Sequence, residues 1–322
     1  MKKIPLFITL DAEGDNGWGR PNPITTDNAK GVERFQAFCE KYNMKPIYLA
    51  TYEMAQDENF VTATKQKNHD GLCEVGMHMH GWNTPPIIPL TDDDLQHLPF
   101  IVEYPKEQID EKVKNITKLL KNTFEEDVVS HRSGRWIVDN DYLDVLVKYG
   151  YKVDCSVTPG LDWACSIGDP NGNGGADYSK CSDIPHTINL PHGKILELPM
   201  STTKVGLYDN FVVNTFLNLF PKSMQSSRIY NGLNARKTLM LRPSLRTKYR
   251  LMRFIKTLKN RKDIEHVEFM IHTSEVFVGT CPHCHTKEEL DALYDLMGKM
   301  FIALNEFCES MTFKEYAKQN NL

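Results

Sequence analysis

The sequence predicts an α/β fold, a single distorted (β/α) barrel of seven strands with a helical excursion before the last strand. Three observations lead to this prediction. Short apolar, β-branched runs alternate with helical stretches, which is typical of a mostly parallel sheet. Seven such runs occur in 322 residues, a length that suits one barrel. No repeat and no low-complexity linker divides the chain, so residues 1–322 are predicted to form one domain.

The predicted strands are short runs rich in Val, Ile, Leu and Tyr. They lie at 4–10, 46–51, 73–79, 127–131, 151–156, 195–199 and 266–272. The predicted helices are longer stretches at 27–42, 107–123, 139–149, 210–220, 246–260 and 287–306. In such a fold the carboxyl ends of the parallel strands gather ligands at one rim.

Two segments interrupt the alternation of strand and helix, and both are predicted to be insertions in the same barrel. Residues 159–193 are predicted to be a long loop rich in Gly, Asn and Asp. Loops of that length are usually functional or mobile. Residues 210–262 are predicted to be a basic, mostly helical insertion before the last strand.

The composition is that of an ordinary globular protein, with 41% hydrophobic and 25% charged residues. The net charge of -4 gives no indication of a nucleic-acid partner. The apolar stretch at 4–10 is too short for a signal peptide, and acidic residues rather than a cleavage site follow it. Because no run approaches the roughly 18 apolar residues of a membrane span, we expect a cytoplasmic protein.

Residues 236–262 carry eleven Lys or Arg residues and no acid. The rest of the chain therefore holds 27 basic and 42 acidic residues, a balance of -15. Such a segment is either a solvated helix face or a site for an anionic partner. Candidate partners are a phosphate, a nucleotide or lipid carrier, and the anionic surface of a membrane.

Eight cysteines are scattered along the chain without the spacing of a disulfide framework. Cys281 and Cys284 form a C-x-x-C pair, which is typical of half a zinc site or of a redox pair. No second C-x-x-C completes a structural zinc site. Incidental thiols in a loop are therefore the favoured interpretation, and a metal or redox role is the alternative.

Ionisable residues follow five of the predicted strands, at the ends that meet at one rim. Charges in a barrel mouth cost free energy unless they are paired or bind a metal. Five strands that deliver such side chains predict a functional site at this rim. The residues are Asp11, Glu13, His78, His80, His131, Arg132, Asp154 and His272.

The spacing of these residues predicts a metal site. Side chains at i and i+2 of a strand face the same way, so His78 and His80 can reach one ion, as can Asp11 and Glu13. Two histidines and one carboxylate form a common catalytic zinc set that leaves a position open for water. The second carboxylate is then available as the base that takes a proton from the water.

Five short stretches follow one another in a recognisable order: "ITLDAEGD", "EVGMHMHGWNTPP", "SHRSGRW", "YKVDCSVTPG" and "EFMIHTSE". In these motifs, from about residue 4 to residue 318, the chain resembles the polysaccharide deacetylases of the NodB-like type, carbohydrate esterase family 4. Within that family it is most similar to cytosolic members with an H-x-H sequence, found among capsule or lipopolysaccharide biosynthesis enzymes.

The resemblance implies which residues would be the metal ligands. Glu13, His78 and His80 would hold a divalent metal, most favourably zinc, which would polarise the amide carbonyl and help to hold the oxyanion. The family usually spaces its two histidines four apart, but position 82 is Trp82, so His80 takes that role. Glu13 stands where an aspartate is usual, and Asp15 is the alternative ligand.

The resemblance also implies the proton-transfer groups. Asp11 would be the general base, paired with Arg132, which keeps it ionised. His272 would be the general acid on the leaving amine, and Asp154 would orient it.

The implied function is that of a metal-dependent hydrolase that removes an N-acetyl group from an N-acetylated sugar or polysaccharide precursor. The alternatives are an amidase that acts on a non-sugar C–N amide and a barrel that binds a glycan without turnover. Further residues are candidates for substrate contacts, because indole rings can stack on a sugar and polar side chains of the long loop can bind one. These candidates are Trp82, Trp136, Trp163, Asp177, Tyr178 and, for an anionic substrate group, Arg242.

Overall fold

Seven parallel strands form the central sheet in the computed structural model, which describes residues 3–19, 23–164, 174–205, 219 and 237–321. They are β1 (Ile4–Ala12), β2 (Pro46–Ala50), β3 (Glu74–Met79), β4 (Ser130–Ser133), β5 (Val153–Asp154), β7 (Gly193–Glu197) and β10 (Val267–His272). Their order in the sheet is β10-β1-β2-β3-β4-β5-β7. This arrangement confirms the predicted distorted (β/α) barrel.

Four further strands extend the sheet or lie beside it. β6 (His186–Leu190) runs antiparallel to β7 at the edge, and β11 (Cys308–Ser310) pairs in parallel with the first residues of β1. β8 (Thr202–Val205) and β9 (Lys237–Met240) form a separate antiparallel ribbon.

Helices cover the outer face of the sheet. Within the described residues they are α1 (Val32–Lys41), α2 (Glu58–His69), α3 (Asp94–His97), α4 (Lys106–Phe124), α5 (Asn140–Lys148), α6 (Lys248–Asn260), α7 (Lys287–Asn305) and α8 (Phe313–Gln319). Two of them begin with the capping box S/T-x-x-E, which satisfies backbone N–H groups that the first turn leaves unpaired. Thr286 accepts from the Glu289 amide at the start of α7, and Thr312 accepts from the Glu315 amide at the start of α8.

The barrel closes between β7 and β10 through irregular chain rather than a regular ladder. His266 Nε2 lies 2.7 Å from Pro199 O, the amide of Glu268 donates to Ser201 Oγ at 2.9 Å, and Met270 N donates to Leu241 O at 3.1 Å. The segments on either side of the β8–β9 ribbon therefore fill the gap, which is the distortion of the barrel.

Successive side chains of each strand point alternately into the barrel interior and towards the helix layer. An apolar cluster fills the interior where the parallel strands begin, and Phe313 and Ala317 of α8 cover it. Polar residues further along the strands, such as Thr9 and Asp11 on β1, therefore occupy the carboxyl end of the barrel. The apolar cluster is Phe7, Ile47, Leu49, Val153, Cys155, Leu196, Leu198, Phe313 and Ala317.

All seven predicted strands are present within a few residues of their expected bounds. The predicted helix at 27–42 is a short 3-10 turn (Asp27–Gly31) followed by α1. The loop predicted at 159–193 contains β6, and the excursion predicted to be mostly helical contains β9 before α6. The predicted helix at 210–220 lies outside the described residues, apart from position 219. In the described ranges, no helix is both long and apolar enough to cross a bilayer.

Candidate metal and acid–base site

Three ligand-type side chains converge at the carboxyl end of the barrel. Glu13 follows β1, and its backbone is fixed because the Asn28 side-chain amide and the Thr273 hydroxyl both donate to its carbonyl. His78 and His80 project from the end of β3 to the same side. Glu13 Oε2 lies 3.7 Å from His78 Nε2 and 3.3 Å from His80 Nε2.

The geometry of these three side chains suits a divalent metal. Ligand atoms held at about 2.1 Å around a tetrahedral ion lie roughly 3.4 Å apart, close to both distances from Glu13. One candidate atom from each of the three residues lies within 4.8 Å of the others, and no other such group of His, Cys, Asp or Glu occurs in the described residues. The three residues therefore fit a bound metal by spacing and by donor type.

Protonation in this site also suits metal binding, since a ligand must offer a lone pair. Burial, reinforced by the charge of His80, holds the pKa of His78 well below its ordinary value. Burial would raise the pKa of Glu13, but the hydrogen bond with His80 and the charges of the surrounding histidines outweigh it and lower the pKa. A neutral imidazole and an ionised carboxylate are thus available together.

A glycine on the neighbouring strand end makes room for His80. A Cβ on Gly134 would lie 2.3 Å from His80 Nδ1, so any larger residue would displace the ring. The next two residues, Arg135 and Trp136, both have left-handed backbone angles, with φ of 57° and 64°. Consecutive residues of this kind are strained and are often found at functional sites. Neither His78 nor His80 has a hydrogen-bond partner for Nδ1 among the described residues, so packing orients the rings.

Asp11 is held beside this group by a buried arginine. Arg132 on β4 has no exposed side-chain surface, and its Nη1 donates to Asp11 Oδ1 at 2.5 Å. Its Nε donates to the Cys155 carbonyl at 3.2 Å, and its Nη2 contacts Thr9 Oγ1 and Glu268. Burial would lower the pKa of Arg132, but the nearby acids raise it, so the guanidinium stays charged.

Glu268 on β10 is a second buried partner of Arg132. Its Oε1 accepts from the Thr9 hydroxyl and from Arg132, whereas its Oε2 has no partner among the described residues. Burial raises the pKa of Glu268 to about 7, although the charge of Arg132 opposes the rise. The carboxyl group therefore lies near the middle of its titration at neutral pH.

Glu268→Gln is expected to change how the free energy of unfolding depends on pH. The folded protein retains a proton on Glu268 between pH 4.5 and about 7, where the unfolded chain has lost it. That proton stabilises the fold fully below pH 4.5, and the contribution is lost as the pH rises through 7. Denaturant titrations from pH 5 to pH 8 should show this decline in the wild type and a smaller one in Glu268→Gln. Equal slopes would contradict the raised pKa.

His272 faces Asp11 and Glu13 from the end of β10. Its Nε2 lies 4.0 Å from Asp11 Oδ2 and 3.6 Å from Glu13 Oε1. Its Nδ1 lies 3.1 Å from Glu275 Oε2, and the same oxygen accepts from the His272 amide and from Arg242 Nη2, at 2.8 Å. Burial would raise the pKa of Glu275, but the charge of Arg242 and the hydrogen bond with His272 lower it to about 2. An ionised carboxylate thus orients His272.

The predicted role of Asp154 is therefore wrong, because Glu275 and not Asp154 contacts His272. Asp154 Oδ1 lies 2.5 Å from His131 Nδ1, and Asp154 also binds Ser156. The physical reason is strand alternation. Val153 and Cys155 face the barrel interior, so Asp154 faces the helix layer, as does His131 beside Arg132.

Asp154 forms part of a structural acid pair with Glu197, its register neighbour on β7. Burial and the charge of Asp154 raise the pKa of Glu197 well above its ordinary value. Burial would also raise the pKa of Asp154, but the hydrogen bond with His131 and neighbouring donors lower it. One carboxyl of the pair is therefore protonated and the other ionised, away from the site.

Asp15, the alternative ligand, is occupied elsewhere. Its Oδ2 accepts from the Thr25 hydroxyl and the Asp27 amide, both at 2.8 Å, and its Oδ1 accepts from the Asn28 amide at 2.9 Å. These bonds fix the 3-10 turn that precedes α1. Glu13 is thus the carboxylate that lies with the two histidines.

A cavity of about 310 Å³ opens over the converging side chains. Trp82 and Trp136 line it together with Asp11, Glu13, His78, His80 and His272.

The other predicted substrate contacts lie elsewhere. Trp163 and Arg242 line a second cavity of about 670 Å³, which also contains Glu275. Asp177 and Tyr178 line neither: Asp177 is exposed and accepts from the Ser179 amide, and the buried Tyr178 donates to the Trp136 carbonyl. Tyr178 therefore helps to position Trp136, and the substrate contacts of Tyr178 and Asp177 stay predictions from the sequence.

Sequence reasoning missed several residues of the site. Glu53, from the loop after β2, lines the cavity and accepts from the Asn83 side-chain amide at 3.2 Å, and burial raises its pKa. No motif marked Glu53. Glu275 had a usable signal, because it follows His272 by three residues, a spacing that lets its side chain fold back onto the end of the strand.

The C-x-x-C pair lies in the second cavity. Cys281 and Cys284 are buried, free thiols joined by a β-bridge. Burial raises the pKa of both, that of Cys284 to about 11, so the thiols are protonated at neutral pH. Neither belongs to a group with metal-binding geometry in the part of the chain that the structure describes.

Comparison with known proteins finds the same fold in solved structures. No protein-family model and no curated protein matches the sequence. A solved structure from Mycobacterium smegmatis, described as a polysaccharide deacetylase, superposes with a TM-score of 0.57 at 12% identity, over 99% of this chain and 90% of that one. This chain has the fold of the polysaccharide deacetylases. That is the fold that its sequence motifs predicted.

The same barrel also occurs in an enzyme of different chemistry. The 4-alpha-glucanotransferase from Thermococcus litoralis superposes with a TM-score of 0.55 at 12% identity, over 99% of this chain but only 41% of its own. The polysaccharide deacetylase fold therefore does not decide the reaction by itself. The side chains at the carboxyl end of the barrel must do so.

Proposed function

We propose that the protein is a metal-dependent hydrolase that removes the acetyl group from an N-acetylated sugar. One observation carries the proposal: Asp11 and His272, whose Oδ2 and Nε2 atoms lie 4.0 Å apart, line the same cavity as the Glu13, His78 and His80 group. A ligand set, a base and an acid are the groups that hydrolysis of an unactivated amide requires.

Glu13, His78 and His80 would hold the metal, for which zinc is the best match to two imidazoles and one carboxylate. When bound, a divalent ion of this kind polarises the amide carbonyl and stabilises the negative charge that develops on its oxygen. The remaining steps belong to side chains of the chain itself.

Asp11 accepts the proton of the attacking water. Its carboxylate is suited to this because Arg132 fixes one oxygen and leaves the other, Oδ2, on the side of His272. His272 gives a proton from Nε2 to the departing nitrogen, since an amine leaves poorly without one. Glu275 accepts the hydrogen bond from Nδ1 and so directs Nε2 towards the cavity.

The size and lining of the cavity support a sugar amide as the substrate. At about 310 Å³ it lies at the lower end of small-molecule sites, which suits one acetamido sugar unit of a larger molecule. Trp82 and Trp136 give it an aromatic wall. The substrate on an anionic carrier and the cytoplasmic location stay predictions from the sequence.

The proposal is tested by acetate release. The zinc-loaded protein is incubated with N-acetylated hexosamines as free sugars, oligosaccharides and nucleotide-linked sugars, and with non-sugar acetamides such as N-acetyl-lysine. We expect release from at least one sugar and none from the non-sugar amides. Release from non-sugar amides alone would favour the amidase alternative. Glycan binding without any release would favour the binding barrel.

A further inference from the structure

α6 presents an apolar stripe to solvent. Its other face packs in the core through Leu251, Phe254, Ile255 and Leu258. Tyr249 and Met252 lie on its outward side, with exposed fractions of 77% and 36%, and Leu245, in the 3-10 turn before α6, is 36% exposed. Tyr249 and Met252 are three residues apart, a spacing that places side chains on one face of a helix.

Cations surround this stripe. Residues 237–262 contain ten Lys or Arg residues and no acid. At the end of α6, Lys259 pairs with Glu306, and Arg261 pairs with Asp183 and Asp263. Arg246, Lys248 and Lys256 differ, because they are exposed and no carboxylate lies within 4 Å of them in the described ranges.

From this we propose that the outward face of α6 and of the turn before it binds the surface of an anionic lipid bilayer. Leu245, Tyr249 and Met252 would enter the boundary between headgroups and acyl chains, and Arg246, Lys248 and Lys256 would contact the lipid phosphates. The core packing of the other helix face fixes the backbone of α6, from which four of these six side chains project.

The charge of the whole chain favours this orientation. Outside residues 236–262 the balance is -15, so an anionic surface repels the rest of the chain and attracts this segment. A lipid surface is favoured over a free polyanion because the cations share their face with exposed apolar side chains. The proposal does not rest on the deacetylase activity.

Vesicle flotation with the full chain tests the proposal. The protein is mixed with vesicles of phosphatidylcholine alone or with about a third phosphatidylglycerol, at low and at high salt. We expect flotation with the anionic vesicles at low salt only. The triple variant Arg246→Gln, Lys248→Gln, Lys256→Gln should lower the partition coefficient by roughly 100-fold. Tyr249→Ser should lower it without changing its salt dependence.

The matched control removes three cations from α4, by Lys114→Gln, Lys118→Gln and Lys121→Gln. This variant should float like the wild type, and circular dichroism should show that both triple variants are folded. Equal flotation with neutral vesicles, equal loss in both triple variants, or no flotation at all would overturn the proposal. The proposal would also be overturned if the Arg246, Lys248 and Lys256 variant lost binding to a nucleotide sugar, or lost self-association, but still floated with anionic vesicles like the wild type.

Discussion

Asp11→Asn is expected to lower the rate of acetate release by about 10²–10⁴-fold, the usual cost of losing one general acid or base. Asparagine has nearly the shape of aspartate and can still accept from Arg132, so the barrel and the metal ligands should stay in place. What it lacks is the capacity to take up a proton. The measurement is the rate at saturating substrate, together with the metal content of the same sample.

Asp141→Asn is the matched control, since it makes the same substitution at an exposed carboxylate that pairs with Lys106 and lines neither cavity. It should retain the wild-type rate. An Asp11→Asn variant that hydrolyses the substrate at a near-normal rate would remove the base from the mechanism and favour the binding-only barrel.

His272→Ala is expected to cost a similar factor on an amide substrate and much less on an activated aryl ester. The amide needs a proton on its leaving nitrogen, whereas a phenolate of low pKa leaves without one. The informative quantity is therefore the ratio of the amide rate to the ester rate. A variant that slows both substrates equally would show that His272 binds or positions the substrate and does not act as the acid.

Glu275→Gln separates orientation of His272 from its chemistry. The amide retains the shape of the side chain but not the charge that fixes His272 and pairs with Arg242. We expect roughly a 10-fold or larger loss on the amide, a smaller loss on the ester and little change in KM. Asp154→Asn should leave the amide-to-ester ratio unchanged, because Asp154 contacts His131 instead.

The sequence predicted most of the barrel because local patterns determine most of it. Strands β1, β2 and β3, for example, contain short apolar runs whose side chains are buried on both faces of the sheet. The β8–β9 ribbon was missed because its strands are about thirty residues apart, and pairing between such distant segments leaves no local pattern. The short β11 and β6 were missed for a similar reason: their partners in the sheet fix them, not their own composition.

Strand alternation was enough to predict only part of the candidate site. His78 and His80 share one face by their spacing, and the structure brings them to Glu13. Asp154 was misplaced because alternation alone does not show which face of a strand lines the barrel interior, and Val153 and Cys155 occupy that face. Glu53 was missed because its approach to Asn83 depends on how two separate loops meet in space.

The most direct test of the central claim measures metal content and acetate release in the same samples. Wild-type protein and His78→Ala are stripped with a chelator and then titrated with zinc. We predict that stripped wild type releases no acetate and recovers fully at one equivalent of zinc. His78→Ala should remain folded, bind zinc weakly and stay inactive. Undiminished release from the stripped wild type, or one tightly bound zinc in His78→Ala, would contradict a metal held by Glu13, His78 and His80.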